Sequence, residues 1–165
     1  MKFLIISDTH GGIQDARRLI ENLHDQIDGV WHLGDEYRDF EMLQRRYGPL
    51  YGLAFQAVPG NCDYFSPAPN RRDIPVCGHK VLMSHGHMYG VFGGTGLGSL
   101  PSEALKAGCD VALYGHTHMP NLARENGILY LNPGSLSRPR GGFKKSYALL
   151  TLEEGIEASA ELFTL

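Results

Sequence analysis

The stretch FLIISDTH, residues 3–10, joins an apolar run to a string of polar side chains. Four apolar residues in a row are typical of a buried strand, and the polar residues that follow mark its end. In an extended segment, residues two apart point to the same side, so Asp8 and His10 can bind one common ligand. The stretch therefore predicts a strand that carries a ligand-binding loop at its carboxyl end.

The same pattern, an apolar run followed by polar side chains, occurs four more times along the chain. In α/β sheets, ligands bind beyond the carboxyl ends of the strands, so we expect all five polar strings to converge on one cleft. The other four strings are Gly34-Asp35, Pro59-Gly60-Asn61, Ser84-His85-Gly86-His87 and Gly115-His116-Thr117-His118.

The spacing of apolar residues predicts an α/β fold class. In the first half, strands at residues 3–6, 30–33 and 54–58 alternate with two helices. The helical spacing covers residues 16–27 and about 39–47. The second half is predicted to hold hairpins around Gly78 and Gly155, a helix at 102–107 and strands at 111–114 and 128–131. No repeat or linker interrupts the sequence, so residues 1–165 are predicted to form a single domain.

Composition narrows the class of protein. The formal net charge of −3 does not favour extended binding to a nucleic-acid backbone. The three cysteines form no CxxC pair, which argues against a disulfide framework and fits a reducing compartment. No apolar run approaches the length of a membrane span. We therefore expect a cytoplasmic protein that does not enter the membrane. A homo-oligomer is a further possibility, since exposed hairpins in the second half can pair two subunits.

The polar strings together offer two carboxylates, one amide and up to five histidines, which is too many for one tetrahedral ion. Two divalent ions with a bridging carboxylate and a bridging hydroxide are the simplest interpretation. Nitrogen and oxygen ligands without thiolate favour a transition metal over magnesium or calcium. Manganese is expected first, with iron, zinc, nickel and cobalt as alternatives. Such a site retains positive charge, which a phosphodiester monoanion would neutralise.

Taken in order, the motifs Asp-x-His, Gly-Asp, Gly-Asn, His-Gly-His and Gly-His-Thr-His resemble those of the calcineurin-like metallophosphoesterase superfamily. Within it, the chain is most similar to the small YfcE-like phosphodiesterases. The resemblance covers nearly the whole chain, including the Asn-Pro-Gly-Ser run at residues 132–135. It implies a four-layer α/β (α+β) fold in which a central two-sheet β-sandwich is flanked by helices.

The resemblance also implies a division of the metal ligands between two ions. One ion would be held by Asp8, His10 and His118. The other would be held by Asn61, His85 and His116. The carboxylate of Asp35 would bridge the two ions, and a metal-bridging hydroxide would attack the phosphorus of a small phosphodiester substrate.

Cys62 departs from the wider superfamily, in which a histidine often follows the Gly-Asn motif. A thiol is a poorer group than histidine for protonating a leaving oxygen at neutral pH. The YfcE-like branch shares this replacement and is associated with diesterase activity, so Cys62 favours a phosphodiesterase. Two alternatives stay open: a phosphomonoesterase on the same site, and a protein-interaction scaffold of the same fold.

Several other side chains are weaker candidates for function. His87 is a candidate catalytic or substrate-facing group, and Cys62, Arg138 and Arg140 are candidate substrate-binding residues. Arginine would bind phosphate oxygens in a bidentate manner. Among the remaining histidines, His32 is predicted to be a packed core residue, and the last two are predicted to lie at the surface: His24 and His79.

Overall fold

A computed structural model describes residues 1–93 and 96–165 of the chain. Within them lie ten strands, three α-helices and a 3-10 turn at His87–Tyr89. The strands are β1 (Lys2–Ile6), β2 (Gly29–His32), β3 (Ala54–Ala57), β4 (Arg71–Val76), β5 (His79–Ser84), β6 (Val111–Leu113), β7 (Asn121–Glu125), β8 (Ile128–Asn132), β9 (Ser146–Glu153) and β10 (Ile156–Thr164). The helices are α1 (Ile13–Leu23), α2 (Tyr37–Tyr51) and α3 (Leu100–Ala107).

The strands form two five-stranded mixed sheets, which we call sheet A and sheet B. Sheet A has the order β10-β9-β1-β2-β3, and sheet B has the order β4-β5-β6-β8-β7. In sheet A the neighbours β1, β2 and β3 are parallel. In sheet B the neighbours β5, β6 and β8 are parallel. The loops that leave these parallel strands therefore emerge at one edge of each sheet.

The two sheets pack face to face, and helices cover their outer faces. In β1, Ile5 points into the core between the sheets together with Trp31 and Met83. Its neighbours Leu4 and Ile6 point the other way, into a second core with α1 and α2, because successive strand residues face opposite sides. Helix α3 covers the outer face of sheet B. This arrangement confirms the predicted four-layer sandwich.

The strands and helices predicted from periodicity are present; the limits of two helices differ from the prediction, and one strand was missed. Helix α1 ends at Leu23, although the helical spacing extends to Ile27, which is buried from the following loop. Helix α2 runs to Tyr51, beyond the predicted limit, and includes Pro49 in its last turn. Strand β7 was not predicted, since its polar edge sequence lacks an apolar alternation.

Three other predictions concern single segments. His32 is fully buried, as predicted. The prediction that His79 lies at the surface is wrong, because its ring is buried between the two sheets. The glycine-rich run at residues 93–98 is predicted to be a loop, but residues 94 and 95 lie outside the described residues. In the described part of the chain, no helix combines the length and the apolar character that crossing a membrane requires.

Candidate metal centre

The loops that follow five strands bring the seven candidate metal ligands to one end of the sandwich. From sheet A come the loops after β1, β2 and β3, and from sheet B come the loops after β5 and β6. Both sheets therefore supply the site. The residues are Asp8, His10, Asp35, Asn61, His85, His116 and His118.

One group of four side chains, which we call the first cluster, could hold a metal ion. It consists of Asp8, His10, Asp35 and His118, and one ligand atom from each lies within 4.8 Å of the others. The Nε2 atom of His118 lies 3.1 Å from Oδ1 of Asp8. The Nε2 atom of His10 lies 3.4 Å from that of His118 and 3.5 Å from Oδ2 of Asp35.

A second group lies on the other side of Asp35. The Nε2 atom of His85 lies 3.2 Å from Oδ1 of Asn61 and 3.6 Å from Oδ1 of Asp35. The ring of His116 is next to that of His85, with 5.2 Å between the ring centroids. Asp35 thus presents Oδ2 to the first cluster and Oδ1 to this second group.

Two histidine rings are oriented by backbone carbonyl groups. The Nδ1 atom of His118 lies 2.6 Å from the carbonyl oxygen of Arg138, and that of His85 lies 2.6 Å from the carbonyl oxygen of Leu33. A carbonyl oxygen only accepts hydrogen bonds, so each Nδ1 carries a proton and donates it. In a neutral ring, Nε2 then has a free lone pair, which is the form that binds a metal.

These lone pairs point at other acceptors. The Nε2 atom of His118 faces Asp8, whose Oδ1 is buried and has no hydrogen-bond partner among the described residues. The Nε2 atom of His85 faces the oxygens of Asn61 and Asp35. Acceptors directed at one point need a cation between them, either a proton or a metal ion. The donor set of imidazole, carboxylate and amide groups therefore fits divalent transition metals.

The protonation states of three ligands fit metal binding, whereas burial would lower the pKa of His118 but its contact with Asp8 raises it on balance. Burial alone would raise the pKa of Asp8, but the contact with His118 and the hydroxyl of Ser7 at 2.5 Å lower it on balance. Burial lowers the pKa of His10 and His116. At neutral pH these side chains are therefore a carboxylate and neutral imidazoles, the forms in which they coordinate metals.

Five of the candidate ligands have a left-handed backbone. Their φ angles lie between 42° and 69°, a region that residues other than glycine rarely adopt. Such strain persists where the surrounding structure imposes it, and it is common at functional sites. The five residues are Asp8, His10, Asp35, His116 and His118.

Glycines beside the ligands allow close approach of the loops. A Cβ atom on Gly60 would overlap Oδ1 of Asp35, and one on Gly34 would lie 2.8 Å from Nδ1 of His85. At Gly115 it would overlap Oγ of Ser7. Glycine is therefore required at these positions by space alone, whatever backbone conformation each one adopts.

Two carboxylates that support the loops were missed from the sequence. Asp63 accepts hydrogen bonds from the backbone N–H groups of Asp35, Tyr37 and Gly60 at 3.1, 2.7 and 2.7 Å. The buried carboxylate of Asp39 accepts one from Gly11 at 2.9 Å. Asp63 lies two residues after Asn61, and Asp39 lies four residues after Asp35. This closeness to candidate ligands was the only signal in the sequence, and it does not show that the partners of the carboxylates are backbone groups.

The weaker candidates border the site. The ring of His87 lies beside those of His85 and His116, with centroid separations of 5.4 and 6.2 Å. The Sγ atom of Cys62 lies 3.4 Å from Oδ2 of Asp35. Arg138 is exposed, and what it brings to the site is its carbonyl group, which holds the ring of His118.

Arg140 is also exposed, and its backbone N–H donates to the carbonyl oxygen of His118 at 3.1 Å. The backbone at residues 138 and 140 thus holds the loop of His118 in place. Both side chains are exposed, and their role in substrate binding stays a proposal.

Comparisons with known proteins identify the family of the chain. The Calcineurin-like phosphoesterase superfamily domain matches residues 1–155. The probable metallophosphoesterase YsnB of Bacillus subtilis is 33% identical over 93% of this chain and 85% of its own length. The phosphodiesterase YfcE of Escherichia coli K12 is 31% identical over 91% of this chain and 87% of its own length.

Solved structures share the fold. A predicted phosphoesterase from Streptococcus pneumoniae TIGR4 has a TM-score of 0.73 at 25% identity, covering 98% of this chain and 97% of its own. Vps29 from Entamoeba histolytica, solved in complex with Zn²⁺, has a TM-score of 0.74 at 19% identity, covering 99% and 98%. The match over residues 1–155 and the relatives at 33% and 31% identity show that the chain belongs to the calcineurin-like phosphoesterase superfamily.

Proposed function

We propose that the protein is a binuclear metal-dependent phosphodiesterase that hydrolyses a small phosphodiester. The observation that carries this proposal is the position of the Asp35 carboxylate. Its Oδ2 lies 3.5 Å from Nε2 of His10, and its Oδ1 lies 3.6 Å from Nε2 of His85. A carboxylate with one oxygen toward each of two ligand groups is suited to bridge two ions.

In this proposal, Asp8, His10 and His118 hold one ion, Asn61, His85 and His116 hold the other, and Asp35 bridges them. When bound, two divalent ions supply a hydroxide nucleophile and neutralise charge on the phosphate oxygens. The ligand set favours manganese, with iron, zinc, nickel and cobalt as alternatives.

The chain's own groups prepare this chemistry. The carbonyl groups of Leu33 and Arg138 fix the rings of His85 and His118, so no ring rotation is needed when a ligand binds. The exposed side chains of Arg138 and Arg140 are proposed to bind phosphate oxygens from the solvent side. His87 is proposed to contact the substrate rather than to bind metal.

Cys62 supports a diester rather than a monoester substrate. Although Cys62 is exposed, partial desolvation and the nearby carboxylate of Asp35 raise the pKa of its thiol to about 11 in the metal-free protein. The thiol therefore stays neutral and donates toward Asp35 at 3.4 Å, and it is a poor proton donor to a leaving oxygen at neutral pH. Turnover of bis(p-nitrophenyl) phosphate should exceed that of p-nitrophenyl phosphate, and equal or reversed turnover would favour a monoesterase.

The substitution Asp35→Asn tests the bridging role. Because an amide removes the charge shared by both ions, we expect hydrolysis of bis(p-nitrophenyl) phosphate to fall by more than the 10- to 100-fold that loss of an outer hydrogen-bond partner costs. Metal analysis of the Mn²⁺-loaded protein should show fewer than two ions per chain. The matched control is Asp25→Asn, whose carboxylate is exposed beside His24. Near-normal activity of metal-replete Asp35→Asn protein would refute the proposal.

A scaffold function is the second candidate, because Vps29 proteins have the same fold. Two further Vps29 structures, from Entamoeba histolytica and Cryptosporidium parvum, have TM-scores of 0.73 and 0.72 at 20% and 22% identity. At such identity the likeness concerns the fold alone. This candidate would gain support if purified protein bound no transition metal and hydrolysed no diester.

We further propose that residues 1–165 work as one domain in the cytoplasm. Loops from both sheets supply the same candidate centre, which supports a single functional unit. The three cysteines are unpaired, which supports a reducing compartment.

A further inference from the structure

A cleft opens directly beside the second group of candidate ligands. It has a volume of about 310 Å³, and Asn61 and His87 form the wall nearest the site. Tyr64, Ser66 and Asn70 line the rest of it. A volume of this size lies at the lower end of the range for small-molecule sites. The cleft is therefore large enough for one organic substituent of a phosphodiester.

The cleft is suited to an uncharged group. None of the described residues that line it is lysine or arginine. Its one carboxylate, Asp63, is occupied by three backbone N–H groups of the neighbouring loops. The groove on the other side of Tyr64 contains Arg38 instead. A second phosphate would thus find no partner in the cleft, whereas a neutral substituent would not be repelled.

The lining combines an aromatic face with polar groups. Tyr64 is 84% exposed, and its ring can stack on a planar ligand. Asn70 and Ser66 offer an amide and a hydroxyl at the same cleft. His87 adds a half-buried imidazole ring to the lining on the side of the candidate ligands.

We propose that this cleft binds the nucleoside part of a nucleoside phosphodiester, which names a substrate class for the proposed phosphodiesterase and rests on that function. A nucleobase has the planar face that Tyr64 can stack on and polar edges for Asn70 and Ser66. The sugar, which lies between base and phosphate, comes next to His87. The phosphate itself then reaches the ligands beyond Asn61.

The test compares two diesters that differ only in the group assigned to the cleft. The substrates are thymidine 5′-(p-nitrophenyl phosphate) and methyl p-nitrophenyl phosphate, used with Mn²⁺-loaded protein. Tyr64→Ala should raise KM for the thymidine ester by roughly 5- to 100-fold, the cost of one lost stacking contact. It should leave KM for the methyl ester nearly unchanged, and Tyr64→Phe should restore the wild-type value.

Phe65→Ala is the matched control, because Phe65 is the adjacent aromatic residue, is 99% exposed, and lines the groove on the other side of Tyr64. It should leave both KM values near wild type. An equal rise of KM for both substrates in Tyr64→Ala, or no rise for the thymidine ester, would overturn the proposal.

Binding measured by calorimetry separates this inference from the proposed function. The probes are thymidylyl-thymidine and dimethyl phosphate. If thymidylyl-thymidine binds more tightly than dimethyl phosphate and Tyr64→Ala abolishes the difference, nucleoside binding in the cleft is supported. If neither ester is hydrolysed in that case, only the phosphodiesterase proposal fails. If the methyl ester is hydrolysed but both probes bind equally weakly, the proposal that the cleft binds a nucleoside is overturned. The phosphodiesterase proposal then stands.

Discussion

At the scale of single residues, Asp63 connects the loops that carry Asp35 and Asn61. One carboxylate accepts three backbone N–H groups, one of them from Asp35 itself. Hydrogen bonds to a charged group are stronger than neutral ones, and removing the acceptor leaves the N–H donors without partners. Asp63 is thus a positioning residue that acts on the candidate metal site through Asp35.

We expect Asp63→Ala to weaken Mn²⁺ binding by about 10- to 100-fold, as loss of an outer hydrogen-bond partner does at other metal sites. The free energy of unfolding should fall by about 1–3 kcal/mol because buried donors lose their acceptor. Titration calorimetry and urea denaturation measure these effects. Asp63→Asn keeps one oxygen acceptor, so its Mn²⁺ affinity and free energy of unfolding should lie between those of wild type and Asp63→Ala. Unchanged Mn²⁺ affinity in Asp63→Ala would show that Asp63 supports only the fold.

The sequence shows the candidate ligands better than it shows their supports. The ligands could be predicted because each follows an apolar strand, and parallel strands bring their carboxyl ends together. Asp63 and Asp39 could not, because their partners are backbone N–H groups whose direction depends on the folded loop. The roles of the candidate ligands remain predictions that metal analysis will test.

At the scale of secondary-structure elements, His79 links the start of β5 to both sheets. Its Nδ1 lies 2.6 Å from Oδ2 of Asp110, just before β6, and its Nε2 lies 3.1 Å from the carbonyl oxygen of Glu153 in β9. Both partners are acceptors, so the doubly protonated ring fits best. Burial would lower the pKa of His79, but the hydrogen bond that its ring donates to Asp110 and the other contacts raise it on balance.

A raised pKa in the folded state means that protonation of His79 stabilises the fold. This contribution is fully present below the unfolded pKa of about 6.5 and is lost as pH rises through the higher folded value. We expect it to be about 1 kcal/mol, because Asp110 is 44% exposed and water screens the pair. Urea denaturation of wild type and His79→Gln from pH 5 to 9 should show a difference that shrinks with rising pH. A difference that is constant across this range would contradict the assignment.

The same region shows where periodicity stops being informative. His79 follows Gly78 in a predicted hairpin turn, which favours an exposed position, yet contact between the two sheets buries it. Likewise β7 is an edge strand whose exposed residues need no apolar alternation. Both features depend on packing between segments distant in sequence, whereas β1 or α2 could be predicted from local patterns.

At the scale of the whole molecule, the candidate centre joins sheet A to sheet B. A bound ion would contact loops from both sheets, so it should stabilise the folded state as a whole. Mn²⁺ at about 100 times its dissociation constant should add about 2.7 kcal/mol, which corresponds to a rise in Tm of roughly 5–10 °C for a chain of this size. Thermal unfolding with Mn²⁺ and with excess chelator measures the effect. An unchanged Tm across the Mn²⁺ titration would argue against a metal site.

The two-sheet architecture itself was implied by the family resemblance rather than by periodicity. Alternating strands and helices in the first half indicate α/β structure, but the pattern does not specify how the hairpins of the second half assemble. Sheet B forms because β5, β6 and β8 pair in parallel across long sequence separations. Such pairings depend on the global topology, which the order of the motifs identified.

The left-handed backbone at five candidate ligands has a consequence for directed evolution. Each such residue other than glycine costs roughly 1–2 kcal/mol, so glycine at His10 or His116, whose side chains are only half-buried, should make the metal-free protein more stable. A library selected for heat resistance alone would therefore drift toward glycine at these positions and lose its metal site. Stability and activity must be selected together if variants of this protein are to keep both.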